Sequence, residues 1–429
     1  GVGAFTGCYD LVAVVIPSGA YQLGAAASMN SRELKTVVFE ANDLLQTIER
    51  MTFAGCSGLT GIAIPASVTQ LGVSAFSGCS VLESINIPQG VTKLLDNVFA
   101  GCGFRTLTFG ADCAITEIGE FAFMGCSRLE SVRFSEGSKV RSIGKNAFSE
   151  CDLLNTVELP EGLITLGESV FSHCRALKSV SFGKESALES LGMSAFYDCI
   201  SLTEIHIPEK ITEISRRTFY GCSALVSVEF SENLTKIGGH AFYMCKGLTN
   251  VVLPESLVAI EGMAFFGCSG LRQISIPESV TSIGSGAFQG SGLTDVVLGG
   301  SGTTIAANAF SVCTALQNVT FRDGTTSING FSACNNLKNI IIPASVTAIA
   351  DYAFTDSGLT IGDSVNIFYD GTSEQWNSVE IGTENDILDV AIVYYYSDTP
   401  PEDDGNYWHY AKDNVTPIIW VKGEGIYSV

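Results

Sequence analysis

The sequence predicts a solenoid of about sixteen repeats, built mostly from short parallel β-strands with 3₁₀ or short helical turns and ending in a strand-rich C-terminal cap. Three observations lead to this α/β-class prediction. A short motif recurs along most of the chain, the apolar residues within it alternate, and the composition is apolar enough for a long core. Of the 429 residues, 46% are hydrophobic and only 16% are charged, which excludes a disordered chain.

The repeat is defined by the motif Ala-Phe-x-x-Cys. Neighbouring motif phenylalanines lie mostly 23 residues apart, and the spacing stays between 21 and 25 residues throughout. Such a period is the signature of short structural units stacked along one axis. The column comprises Phe5, Phe53, Phe76, Phe99, Phe123, Phe148, Phe171, Phe196, Phe219, Phe242, Phe265, Phe288, Phe310, Phe331 and Phe354, with Ser28 in the second slot.

Each unit contains two short extended segments. Leu82, Ile85 and Ile87 alternate with polar residues, which predicts a strand with an inward apolar face, and Pro88 ends it. A second segment follows, as at residues 280–284, and its glycine turns the chain toward the Ala-Phe corner, where we expect one turn of 3₁₀ or α-helix. Parallel stacking would place equivalent residues about 4.8 Å apart, so the apolar columns would form continuous core ladders.

The consensus unit Leu-x-x-Ile-x-Ile-Pro-x-x-Val-Thr-x-Ile-Gly-x-x-Ala-Phe-x-Gly-Cys closely resembles the BspA-like class of leucine-rich repeats over residues 1–361. Departures are local: Ser28, Asn30 and Ser31 replace Phe, Gly and Cys in the second unit, and Ser291 and Ser357 replace Cys later. Known members are mostly secreted or surface proteins of anaerobic gut and oral bacteria, with some in parasitic protists, and several are linked to adhesion. The resemblance implies a leucine-rich-repeat solenoid with an extracellular binding role.

Charge and composition divide the chain into three predicted regions. Residues 1–361 form the repeat array, residues 362–396 the C-terminal cap, and residues 397–429 an acidic linker followed by a short strand-forming tail. From residue 360 onward there are 13 acidic and two basic residues, so this end contributes 2 − 13 = −11 of the net charge of −22. Terminal units of solenoids need a polar outer face, and the acidic residues between 360 and 396 fit that requirement.

The same charge narrows the range of partners. A net charge of −22 argues against nucleic acid and anionic lipid surfaces, since both would be repelled. No apolar run reaches the roughly 18 to 20 residues of a membrane helix, so no membrane insertion is expected. The N-terminus has no secretory signal, and we expect that a signal was trimmed from an extracellular or cell-surface protein.

Cysteine usage follows the repeat. Thirteen of the 14 cysteines lie three residues after the column phenylalanine, and Cys113 alone lies outside this column and is assigned no role. Cysteine packs well as a small buried hydrophobe, and its replacement by serine in three units argues against an obligatory disulfide partner. A ladder of free thiols is therefore favoured, although a rise of about 4.8 Å would just permit disulfides between adjacent turns.

No motif indicates catalysis, a cofactor or a metal. The histidines His173, His206, His240 and His409 lie in no recognisable catalytic motif, and no phosphate-cradling Gly-x-x-x-x-Gly-Lys run exists. The thiol column does not supply four converging zinc ligands, and Pro400 occupies position one of the only calcium-loop-like run. A hydrolase within the tail would have some 33 residues, too few for an independent site. We expect a protein that is not an enzyme.

Binding information in a solenoid usually lies on the outward face of its strands. Those positions are rich in small hydroxyl residues in the first half, charged at the centre and rich in amides in the second half. The predicted binding residues are the central Arg133, Glu158, Glu204, His206 and Glu229. The alternative, for any one position, is that polar side chains only hydrate the sheet.

Two functional classes follow. The first is a secreted or surface-displayed binding protein that recognises a protein or glycan, with host-derived ligands and adhesion included. The second is a structural spacer or scaffold that displays another domain at the cell surface. Residue patterns within the array do not separate the two.

Overall fold

The computed structural model describes residues 1–41, 43–110, 112–300, 302–357, 365–412 and 414–420, together with the backbone of residues 427–428. The chain divides into two compact units, Gly1–Ser231 (unit 1) and Glu232–Val429 (unit 2). The predicted boundary between array and cap, at residues 361 and 362, lies outside the described residues. No helix in the described ranges is long and apolar enough to cross a bilayer.

Unit 1 is a stack of parallel strands, two from each turn. Its strands are β1 (Ala13–Ile16), β2 (Gln22–Leu23), β3 (Thr36–Phe39), β4 (Thr47–Ile48), β5 (Gly61–Ala63), β6 (Gln70–Leu71), β7 (Ser84–Asn86), β8 (Lys93–Leu94), β9 (Thr106–Phe109), β10 (Glu117–Ile118), β11 (Ser131–Phe134), β12 (Ser142–Ile143), β13 (Thr156–Glu158), β14 (Thr165–Leu166), β15 (Ser179–Ser181), β16 (Ser190–Leu191), β17 (Glu204–His206), β18 (Glu213–Ile214) and β19 (Ser227–Glu229).

The odd-numbered strands of unit 1 pair in the groups β1-β3, β5-β7, β9-β11-β13-β15 and β17-β19. The even-numbered strands form the groups β2-β4-β6 and β8-β10-β12-β14-β16 on a second side of each turn. Every pair is in register with equivalent residues of adjacent turns, for example Val132 with Val157. The two strands per turn predicted from the alternating pattern are thus confirmed.

Unit 2 continues the same plan and ends differently. Its strands are β20 (Lys236–Ile237), β21 (Asn250–Val251), β22 (Ala259–Ile260), β23 (Gln273–Ser275), β24 (Ser282–Ile283), β25 (Asp295–Leu298), β26 (Thr304–Ile305), β27 (Asn318–Phe321), β28 (Ser327–Ile328), β29 (Asn339–Pro343), β30 (Ala348–Ile349), β31 (Asn366–Asp370), β32 (Glu380–Ile381), β33 (Ile392–Tyr396), β34 (Tyr407–Tyr410), β35 (Pro417–Ile419) and β36 (Tyr427–Ser428). A one-turn helix α1 (Ser373–Trp376) and a 3₁₀ turn (Asp386–Leu388) lie between its last strands.

In unit 2 the predicted cap and tail join one sheet. Strands β23, β25, β27, β29, β31 and β33 pair in parallel, so residues of the predicted cap add further rungs. Strand β34 still pairs in parallel with β33, whereas β35 and β36 add to the sheet in antiparallel fashion. The reversal of direction ends the solenoid pattern at its last edge.

The expectation of one turn of 3₁₀ or α-helix at the Ala-Phe corner is wrong. The described residues of this corner form β-turns. Around Phe53, the backbone φ is +56° at Met51 and +71° at Gly55, and Cys56 N–H donates to the Phe53 carbonyl at 3.1 Å. Positive φ values recur two residues before and after the column position, which a helix excludes. Because the sign of φ alternates along the corner, the Phe53 N–H points at the Ala75 carbonyl of the next turn, 2.8 Å away. A third side of each turn therefore also bonds to its neighbour.

The phenylalanine column forms the centre of each unit's core. From Phe53 to Phe219 in unit 1, successive rings stack with centroids 5.2–5.7 Å apart. From Phe242 to Phe354 in unit 2 the range is 5.0–5.7 Å. Because no single turn can bury its own ring on both faces, stability arises at the interfaces between turns. The predicted solenoid of about sixteen turns is confirmed, with almost no helix.

The cysteine column has a hydrogen-bonding reason for its composition. All fourteen cysteines are free thiols, and the Cys126 Sγ donates to the carbonyl of Phe99 in the preceding turn at 3.3 Å. Serine performs the same task where it replaces cysteine, since Ser31 Oγ bonds the Phe5 carbonyl at 2.9 Å. Burial raises the pKa of the Cys126 thiol to about 12. The Cys126 thiol is therefore a neutral donor inside the core, as its column position predicts.

Candidate binding surface

The predicted binding residues all lie in unit 1, on the outward side of its odd-numbered strands. Arg133 on β11 lies directly beside Glu158 on β13 in the parallel register, and both side chains are exposed. The structure therefore brings together opposite charges that are 25 residues apart in the sequence. Alternation along the strand produces this exposure, because the flanking Val132 and Val157 point into the core.

A second charged pair lies on β17 and β19. His206 Nδ1 is 3.0 Å from Glu229 Oε2, and both side chains are more than half exposed to solvent. Glu204 occupies the other outward position of β17, opposite Ser227 of β19. An exposed pair of this kind contributes little to stability, because water screens the attraction and ordering two side chains costs entropy. These side chains are exposed to solvent.

The amide-rich half of the predicted surface, which lies in unit 2, behaves differently. Asn318 donates to Asp295 at 2.6 Å, Asn339 to Asn318 at 2.9 Å and Asn366 to Asn339 at 3.0 Å, so the side chains form one hydrogen-bonded ladder. Each amide is partly buried and bonded to the next rung. The interpretation of these residues as structural is the better one here, because their donors and acceptors are used within the sheet.

Aromatic residues cover another part of the outward face of unit 2, which sequence analysis did not anticipate. Ile341, Phe368 and Trp408 form a buried cluster, although Ile341 occupies an outward column. The Trp408 indole N–H donates to the Tyr369 carbonyl at 3.0 Å, and its ring packs edge-on against Phe368. The aromatic composition of residues 394–410 was the available signal, but no local pattern indicates which strand the tail covers.

A cleft in unit 1 was also missed. Its volume is about 390 Å³, and its lining includes Glu83, Ser84 and Asn86 from the β7 region and Thr106 and Thr108 from β9, with Asp112 and Cys113 from the loop that follows β9. The repeat pattern does not predict this cleft. The unit has one residue fewer before β9 than its predecessor has before β7, but the same shortening after Ser291 leaves β23 and β25 paired.

No group of three or more histidine, cysteine or acidic side chains among the described residues is arranged to hold a metal ion. In the run that faintly resembles a calcium loop, Asp403 accepts instead from the Gly405 N–H at 3.0 Å and from the Tyr407 hydroxyl at 3.1 Å. Local hydrogen bonds thus account for this carboxylate.

Comparison with known proteins places this architecture in a family. The profile of the BspA type leucine rich repeat region matches residues 1–116, 116–249 and 235–360, in six copies. None of the curated protein sequences matches the chain. Among solved structures, a leucine-rich repeat protein from Bacteroides ovatus is similar with a TM-score of 0.63 and 26% identity, over 92% of this chain and 86% of that one.

Two further solved structures are similar at lower TM-scores. A leucine rich cell surface protein from Faecalibacterium prausnitzii has 24% identity and a TM-score of 0.40, over 87% of this chain and 83% of that one. The pneumococcal vaccine antigen PcpA has 21% identity and a TM-score of 0.41, over 87% of this chain and 78% of that one. The family profile covers most of the chain and confirms the resemblance seen in the repeat unit: the chain belongs to the BspA-type leucine-rich-repeat family.

Proposed function

We propose that this protein is a secreted or cell-surface binding protein that recognises a protein or glycan, including host-derived ones, through the outward strand face of unit 1. The observation that supports it best is the set of exposed charges on adjacent rungs, Arg133 beside Glu158 and His206 beside Glu229. Charged groups arranged in complementary positions give an interface its specificity and its rate of association.

The contrast with the amide ladder strengthens this proposal. In the amide ladder of unit 2, from Asp295 to Asn366, the polar groups bond one another, so a partner would have to break existing hydrogen bonds to use them. In unit 1, Arg133, Glu158 and Glu204 project from the sheet without such a ladder. Membership of the family, whose known members include surface proteins linked to adhesion, supports the extracellular location. A repeat scaffold of this kind also supports a role without catalysis.

The experiment is a binding screen of the purified chain against host matrix proteins and glycans, followed by affinity measurement for each hit. The test variant replaces Arg133, Glu158, His206 and Glu229 with serine. We expect it to lose at least tenfold in affinity, because a tenfold change requires only about 1.4 kcal/mol.

A matched control lies on another side of the same unit. Lys93 on β8 and Glu117 on β10 form an exposed ion pair at 2.7 Å, remote from the proposed face in the turn. Serine at both positions should leave affinity unchanged. Equal affinity of the wild type and the four-residue variant for every hit would contradict the proposed face. A screen without any hit would favour the alternative function, a spacer that displays another domain.

A further inference from the structure

The cleft in unit 1 lies where two successive strands fail to pair. Strands β7 and β9 come from consecutive turns, yet they belong to different sheets, and no main-chain hydrogen bond joins their described residues. One turn later, Glu130 N–H donates to the Arg105 carbonyl at 2.8 Å. The equivalent bond, from Arg105 N–H to the Glu83 carbonyl, is absent. Two strand edges therefore face the cleft with main-chain groups that bond a neighbouring strand between most other turns of unit 1.

The break also uncovers apolar side chains that should be inside. Ile85 and Ile87, at the inward positions of this turn, are partly exposed and line the cleft. Their equivalents in the preceding turn, Ile62 and Ile64, are only 7% and 5% exposed. The volume of about 390 Å³ lies within the range of about 300 to 1,000 Å³ that is usual for ligand sites. An occupant would recover both the main-chain bonds and the apolar burial.

The charge of the cleft is acidic. Glu83 and Asp112 are exposed at its rim, and no lysine or arginine is among its lining residues. Arg128 lies 3.7 Å from Glu83, but both side chains are about half exposed, so solvent weakens that attraction. The remaining polar lining consists of hydroxyl and amide groups. A basic occupant is favoured over an acidic one, in keeping with the net charge of −22.

We propose that this cleft binds an extended basic segment of a partner protein, which adds as a strand to the unpaired edges of β7 and β9. Main-chain bonds to the strand edges would provide affinity, and alternate side chains would reach Ile85 and Ile87 or the rim carboxylates. A peptide is favoured over a glycan because the unsatisfied groups are main-chain donors and acceptors at strand spacing. The site adjoins the Arg133 end of the proposed face, because Thr108 pairs with Arg133, but it binds through the strand edges of β7 and β9 and not through the charges from Arg133 to Glu229.

Cys113 provides a reporter for occupancy. It lines the cleft and is partly exposed, whereas the cysteines of the column are buried apart from the exposed Cys8. In a Cys8→Ser background, alkylation of the folded protein by N-ethylmaleimide, followed by mass spectrometry, measures access to Cys113. The probe is a hexapeptide of alternating lysine and valine with blocked ends. At ten times its Kd it should slow alkylation about tenfold by mass action.

Two comparisons test how the peptide is recognised. Glu83→Gln combined with Asp112→Asn should raise the Kd of the hexapeptide about tenfold. Glu189→Gln, which removes an exposed carboxylate next to β16 and outside both proposed sites, is the matched control and should leave the Kd unchanged. The same hexapeptide with alternate main-chain nitrogens methylated should lose most of its protection, because it lacks the strand donors.

Other results would contradict the proposed binding of a basic peptide. Absence of protection by the hexapeptide, or equal protection by the methylated peptide, would overturn strand addition at this cleft. Protection by a neutral glucan oligosaccharide but not by peptide would overturn the assignment of the ligand class. The test variant of the hexapeptide assay changes only Glu83 and Asp112, whereas that of the binding screen changes only Arg133, Glu158, His206 and Glu229. Failure of either proposal therefore leaves the other standing.

Discussion

The outward faces of the two units are built on the same backbone pattern, yet their side chains are engaged very differently. In unit 1, Arg133, Glu158 and Glu204 extend into solvent, and His206 meets only Glu229. In unit 2 the outward positions from Asp295 to Asn366 bond along a ladder, and Ile341 lies beneath aromatic rings. An outward position in a repeat is therefore not by itself a binding position. An outward side chain can contact a partner only where neighbouring strands, or a later part of the chain, have not already bonded or buried it.

The largest expected effect comes from removing the aromatic cover of unit 2. Trp408 is fully buried, bonds the Tyr369 carbonyl and packs on Phe368, so Trp408→Ala should cost about 3 to 5 kcal/mol. Hydrogen exchange should increase in β31 and β33, while exchange in unit 1 stays the same.

Trp408→Phe separates packing from the hydrogen bond. It keeps an aromatic ring and should recover most of the loss measured by urea unfolding. If Trp408→Ala left both the unfolding free energy and the exchange of β31 unchanged, the outward face of unit 2 would be no more covered than that of unit 1.

A second effect tests whether the difference between the units is confined to their outer faces. Burial raises the pKa of Cys126 in unit 1 and of Cys268 in unit 2 to about 12 in each case, from a usual value of 9.0. The neutral thiol is favoured by folding. Its contribution is therefore complete below about pH 9 and is lost as the pH rises through 12, a total of about 4 kcal/mol per thiol.

Serine variants measure this contribution in each unit. Cys126→Ser and Cys268→Ser should fold, because serine already occupies the column at Ser31. Between about pH 8 and pH 10, each variant should lose about 1.4 kcal/mol less unfolding free energy than the wild type. Urea titrations at the two pH values give the comparison. A pH-independent difference, or an effect in only one unit, would show that the interiors are not equivalent.

The last comparison concerns single polar positions of the two outward faces. Asn339 is the central rung of the amide ladder, and Asn339→Ala leaves groups of Asn318 and Asn366 without their partner, at a cost of about 1 to 3 kcal/mol. Thr156, at the equivalent column position in unit 1, is exposed, so Thr156→Ala should change stability by less than about 0.5 kcal/mol. Thermal unfolding of both variants gives the test, and equal values would remove the distinction between ladder and free face.

The repeating parts of this protein could be predicted from its amino-acid sequence. The period of about 23 residues, the inward Leu, Ile and Val positions, the stacked phenylalanines and the thiol column were all readable, because each turn packs mainly on its immediate neighbours. The exposure of Arg133 and of Glu158 followed from strand alternation alone, and register then placed the two charges side by side. The family assignment rested on the same unit and was confirmed over residues 1–360.

Features that do not recur in every turn depend on contacts between distant parts of the chain. The corner adopts alternating φ signs, and not a helix, because its N–H groups bond the next turn, a preference that no single repeat reveals. Trp408 covers Phe368 through a hydrogen bond to Tyr369, a residue 39 positions earlier in the chain. The loss of pairing between β7 and β9 likewise depends on how whole turns pack against each other. Such long-range contacts do not recur with the repeat. The repeat pattern that predicts the array therefore does not predict them.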